Sequence, residues 1–127
     1  MTKKQTERMN SLMPSGEPKY VRIYDNGGET VDRYTVVFTG NYNNIGAKRG
    51  EFHYQYHMYI GMSAYPYHPY GFCQHGETNE IIDARKNSWG AVPIGKKNHL
   101  GTRISFMDLP DDCKKVVISD YKDLWNL

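Results

Sequence analysis

Alternation of apolar and polar positions sets in at residue 20. In Tyr20-Val21-Arg22-Ile23-Tyr24, Val21 and Ile23 fall on one side and Tyr20, Arg22 and Tyr24 on the other, the period of a half-buried strand. Asp25-Asn26-Gly27-Gly28 then reads as a turn, because Asn and Gly tolerate positive φ. A second strand is predicted over Arg33–Thr39, where β-branched and aromatic residues follow one another. Phe52 to Ile60 gives a third: Phe52, Tyr54, Tyr56, Met58 and Ile60 point one way, His53, Gln55, His57 and Tyr59 the other. Short connections between them predict an antiparallel meander.

The period changes to that of a helix near the C-terminus. Cys113, Val116, Val117, Tyr121, Leu124 and Trp125 recur on one face of residues 110–125. Asp108 is the expected cap, Pro110 suits the first turn, and Asp111 and Asp112 oppose the positive end of the helix dipole. Thr102–Phe106 supplies a short fourth strand just before it. The pattern therefore predicts an α+β fold, a small antiparallel sheet of about four strands packed by a C-terminal helix. Residues 1–18, polar and ending in Pro14-Ser15-Gly16-Glu17-Pro18, read as a flexible arm, leaving 19–127 as a single domain. Between Gly61 and Gly101 breakers are dense, and a long ordered loop region is expected there.

Composition narrows the class. A chain of 127 residues with 13% aromatic content is too rich in rings for a disordered segment and long enough for one core. A net charge of +2 is weak for a dedicated nucleic-acid binder. Cys73 and Cys113 form no metal-type pair and no disulfide framework, so a reduced, cytoplasmic setting is expected. No apolar run approaches membrane-spanning length, so no membrane partner is expected.

Three stretches carry candidate chemistry. YPYHPYGFCQHGE, residues 65–77, holds His68, Cys73, His75 and Glu77, but at a spacing unlike that of zinc sites, which draw close pairs from two separated places. Its prolines and glycines suit a rigid Ω-like loop, with Tyr65, Tyr67, Tyr70 and Phe72 packing over the sheet and the Gln74–Glu77 end free for recognition. Asp25, Glu29 and Asp32 form an acidic turn that matches neither an EF-hand nor a phosphate loop, and a hairpin turn with Asp32 and Arg33 solvated or paired is the simpler expectation. Lys48-Arg49, Arg85-Lys86, Lys96-Lys97 and Arg103 near tyrosines would suit single-stranded nucleic acid if the tyrosine face were open.

Taken together, YDNGGETVDRYTVVFTG (24–40), YHPYGFCQHGE (67–77) and NHLGTRISFMDLPDDCKKVV (98–117) resemble an uncharacterised family of short phage, prophage and mobile-element proteins. That family is similar in its DRYTVVFTG strand, its HPxGFxQHGE loop and its closing LGxxIxFxDLPxxC segment, over residues 20–125. A glutamine commonly follows the second proline there, where this chain has Tyr70. The resemblance implies a setting and no mechanism. The resulting expectation is a small accessory protein that binds a host protein, a nucleic acid or a nucleotide-like ligand. Its ligand-binding residues are expected to be His68, Gln74, His75 and Glu77 with Asp32 and Arg33, without metal or cofactor. The alternative is a hydrolase or nuclease with His75 as base, Asp32 or Glu29 orienting it or holding a metal, and Arg33 stabilising charge. That reading needs those side chains to converge on one point. A homo-oligomer joined through the tyrosine-rich face is a third expectation.

Overall fold

The computed structural model describes residues 16–38, 57–78 and 92–125. Six strands run through them: β1 (Val21–Asp25), β2 (Tyr34–Phe38), β3 (His57–Met62), β4 (Cys73–Thr78), β5 (Lys97–Asn98) and β6 (Gly101–Ile104). A 3-10 turn at Phe106–Asp108 leads into one helix, α1 (Asp111–Trp125). The sheet order is β4-β3-β2-β1-β6-β5, every pairing antiparallel. The α+β class and the β1–β3 meander follow the hydrophobic alternation. The strand count does not: the sheet has six strands rather than about four.

The two additional strands lie inside the stretch expected to be loop. Cys-Gln-His-Gly-Glu-Thr has little intrinsic β preference and a glycine in its interior, and pairing with β3 along its whole length overrides that preference. β5 is only two residues long and exists because the His99-Leu100 turn folds it back on β6. Gly101 closes that turn at φ 121, where a Cβ would lie 2.5 Å from the Asp25 carbonyl oxygen. The expectations for residues 1–15, 40–50 and 52–56 concern positions outside the described residues.

One face of the sheet carries the core. Ile23, Val36 and Ile60 are in register across β1, β2 and β3, and all are essentially buried. Met62 joins the same face, opposite Tyr34. Against them α1 sets Cys113, Val116, Val117 and Tyr121, the face its period predicted. A fully buried aliphatic side chain such as Ile60 stabilises the fold by roughly 1.5–3 kcal/mol. The Tyr121 ring packs 6.4 Å from Phe38, and its hydroxyl accepts a hydrogen bond from the Tyr20 N–H at 3.1 Å. Cys113, also buried, directs its thiol at the Ser63 carbonyl, 3.4 Å away.

The helix start differs in one respect from expectation. Asp108 caps the 3-10 turn instead of α1, its carboxylate accepting from the Ser105 N–H and hydroxyl, each at 3.0 Å. Pro110 stands immediately before the helix, and its carbonyl takes the first helical hydrogen bond, from the Lys114 N–H at 3.0 Å. Asp111 and Asp112 occupy the first turn as expected.

Candidate functional site

The stretch 63–72 is built from two successive turns that share His68. In the first, Pro66 follows Tyr65, and the His68 N–H donates to the Tyr65 carbonyl at 3.1 Å. In the second, Pro69 follows His68, and the Gly71 N–H donates to the His68 carbonyl at 2.7 Å. Proline presets the φ that the second position of such turns requires. Ser63 ties the two ends together: its N–H donates to the Phe72 carbonyl at 2.9 Å, and its hydroxyl accepts from the N–H groups of Tyr65 and Phe72. Gly71 is required where the second turn closes, since a Cβ there would overlap the Tyr65 carbonyl oxygen.

This frame holds its rings outward. Tyr65, Tyr67 and Tyr70 are 70%, 61% and 91% exposed, so they do not pack over the sheet as the sequence suggested. Of the aromatic rings in this stretch only that of Phe72 is partly buried. The His68 Nδ1 accepts from the Tyr70 N–H at 3.1 Å, and the two rings lie 5.7 Å apart. Between Tyr65, His68 and Tyr70, over Ser63 and Gly71, lies an open cup of about 410 Å³.

β4 begins directly after this cup and, among the described residues, forms one edge of the sheet. His75 is in register with Ile60, which faces α1, and its Nε2 meets the Asp120 carboxylate of α1 at 2.8 Å. Sequence reading missed Asp120, because spacing along the chain carries no signal of a pair 45 residues apart. Gln74 is exposed and in register with Gly61. Glu77 lies in β4 opposite Met58. The strand that carries these residues replaces the rigid loop end expected from the sequence.

Asp32 and Arg33 belong to a separate place. Arg33 forms a two-pronged pair with Asp25, at 2.9 and 3.1 Å, instead of with Asp32. This pairing, and a bond from the Gly27 N–H, hold the Asp25 carboxyl below its usual range despite partial burial. Thr30 donates to Asp32, and Asn26 accepts from the N–H groups of Gly28 and Glu29, so the acidic turn consumes its own polar atoms. The Asp32 side chain lies 3.4 Å from where a Gly61 Cβ would be. Gly61 alternates with Ile60 and Met62, both buried beneath α1, so Asp32 lies on the sheet face opposite the helix. His75 reaches the helix side. The structure therefore does not bring His75, Asp32 and Arg33 together at one point.

A cysteine mechanism finds no support in the same neighbourhood. Cys73 shares β4 with His75, but burial and then the negative charge of Asp120 push its thiol upward, toward the neutral form. Cys113 is pushed up to about 11, chiefly by burial. Among the described residues no group of three or more His, Cys, Asp and Glu side chains gathers where it could hold a metal ion. No described helix is long and apolar enough to cross a membrane. Of the cationic pairs singled out in the sequence, Lys48-Arg49 and Arg85-Lys86 lie outside the described residues, and Arg103 donates to the Val92 carbonyl at 2.8 Å. Comparison with known proteins finds no match: no family model, no curated protein and no solved structure.

Proposed function

We propose that the chain is a small binding protein of a phage or mobile-element setting whose cup and adjoining edge strand receive an extended segment of a host protein. The supporting observation is the display of Tyr65, Tyr67 and Tyr70 on a backbone fixed by two proline turns and Ser63. Large rigid rings held in place before binding lose little entropy on contact, which is why tyrosine is favoured at recognition hot spots. β4 offers backbone groups beside the rings, so a bound segment can add to the sheet while one of its side chains enters the cup. His68 supplies a polar wall, and Gln74 lies on the same strand edge.

The test is capture from bacterial lysate by wild-type protein and by a Tyr65→Ser, Tyr70→Ser double variant. Both rings are exposed, so the variant should keep its circular dichroism and melting temperature. Loss of the captured proteins supports the reading, and their undiminished recovery overturns it. Nuclease treatment that releases the catch would move the partner to nucleic acid. A doubled mass in light scattering that the variant abolishes would identify the partner as a second copy. A His75→Ala, Glu77→Ala variant separates the strand from the cup.

A further inference from the structure

We propose that a second groove, on the other flank of α1 from Asp120, docks an acidic segment of a partner protein that carries one apolar anchor side chain. The groove is a shallow, open depression of about 490 Å³ between α1, the 3-10 turn and the chain at Gly16–Glu17. Phe106, Met107 and Ile118 form its floor, while Lys114, Lys115 and Lys122 line its rim. Met107 is 60% exposed, and an exposed, unbranched thioether adapts to a range of inserted side chains.

The charge arrangement identifies the occupant. At 3.6 residues per turn, Lys114, Lys115 and Lys122 share one flank of α1 with a single carboxylate, Asp111, and Asp112, Asp120 and Asp123 share the other. On the acidic flank Asp120 is engaged by His75. On the basic flank Lys114 has Asp111 at 3.7 Å, whereas Lys115 and Lys122 have no ion-pair partner among the described residues. Glu17, on the facing wall, is the groove's one carboxylate against three ammonium groups. An apolar floor with a cationic rim is complementary to a side chain such as Leu or Trp flanked by Asp and Glu. Residues 1–8 of the chain, with Lys3, Lys4 and Arg8 against Glu7, do not offer the acidic chemistry of this occupant. This surface is independent of the cup and is tested separately.

The experiment follows amide shifts of ¹⁵N-labelled protein during titration with an acetylated decapeptide of Glu and Asp around a central Leu-Trp pair. Shifts are expected at Met107, Lys115, Ile118 and Lys122, with no comparable shifts at Tyr65–Phe72. The same peptide with lysines for its acids should not bind, and one with serines for Leu-Trp should bind more weakly. Charge reversal of the two exposed rim lysines, Lys115→Glu/Lys122→Glu, should weaken binding roughly tenfold or more. A folded circular dichroism spectrum confirms that variant, and Met107→Glu repeats the test from the floor. The proposal is overturned if no shifts appear at millimolar peptide, or if charge reversal leaves the affinity unchanged. It is likewise overturned if the groove binds phosphatidylglycerol vesicles in preference to the peptide, or if the shifts report self-association.

Discussion

Gly71→Ala isolates the device on which the cup depends. The added methyl would overlap the Tyr65 carbonyl oxygen and stand 3.0 Å from the His68 carbonyl oxygen, which the Gly71 N–H also uses as acceptor. Both obstacles are backbone atoms, so no rotamer change relieves them, and one of the two turns must open by about 1 Å or more. Opening it breaks the 2.7 Å Gly71–His68 bond and loosens the 3.1 Å His68–Tyr65 bond. Each is worth about 1 kcal/mol net, and the displaced backbone adds strain of similar size. The upper bound is set by the loop itself. Its tyrosines are exposed and contribute little burial, so a detached loop costs no more than its own hydrogen bonds. The expected loss is about 2–3 kcal/mol, or roughly 6–15 °C in melting temperature for a domain of this size. Thermal unfolding by circular dichroism measures the loss, and amide shifts of Ser63–Phe72 locate it. Partner capture should fail in this variant although every tyrosine is retained. A melting temperature within about 1 °C of wild type, with unchanged shifts across the loop, would refute the two-turn account.

Three further outcomes follow from the same structure. Because Arg33 holds the Asp25 carboxyl below its unfolded value, the pair contributes stability above about pH 4 that disappears as pH falls through the folded value. Asp25→Asn should therefore flatten the acid limb of a stability–pH curve and cost about 0.5–1 kcal/mol at neutral pH; an unaltered acid limb would count against the pairing. Tyr24 is fully buried, with its hydroxyl beside Asn98 and the Val92 backbone N–H but without a well-formed hydrogen bond, so Tyr24→Phe should leave urea stability unchanged or raised. A loss above about 1 kcal/mol would show that the hydroxyl is satisfied in solution. Finally, iodoacetamide should modify exposed Cys73 in the folded protein and buried Cys113 only after denaturation, read by peptide mass; equal rates would contradict the packing of α1.

What could be read from the sequence and what could not divide along a physical line. α1 was legible because it buries one face, and burial of a face imposes a period that single residues display; β1 and β2 were legible from their β-branched and aromatic content, although Tyr24 and Val37, on the side away from α1, are buried as well. Asp111, Asp112 and the Cys113–Tyr121 stripe fell where that period placed them. β4 was illegible because an edge strand with exposed Cys73, Gln74 and His75 buries too little to impose alternation, and Gly76 weakens its propensity further. Gly76 has a different reason to be there: a Cβ would stand 2.7 Å from the Tyr59 ring across the strand pair. That contact between strands leaves no trace in local sequence. The tandem Tyr-Pro-Tyr-His and His-Pro-Tyr-Gly turns were legible as rigidity, whereas the outward direction of their rings depends on Ser63, eight residues before Gly71, tying both ends.

The same division decides how the ionisable residues are read. His75, Asp32 and Arg33 suggested a catalytic set because they are adjacent in type, and sequence offers no account of which sheet face each one occupies. One strand step decides it: Ile60 and Met62 face the helix, so Gly61 between them, with Asp32 above it, faces away. His75, opposite Ile60, finds Asp120 instead, and Arg33 finds Asp25. His75 and Arg33 are thereby matched to structural partners at the surface, where an ion pair is worth little and moves no reacting atom. Among the described residues, the exposed side chains for which no such ion pair forms and which mark the two surfaces are of another kind. They are the rings at 65, 67 and 70, and the lysines at 115 and 122 beside an exposed methionine. Those residue types make contact with other molecules through area and charge, and they are the basis on which the two binding surfaces are proposed.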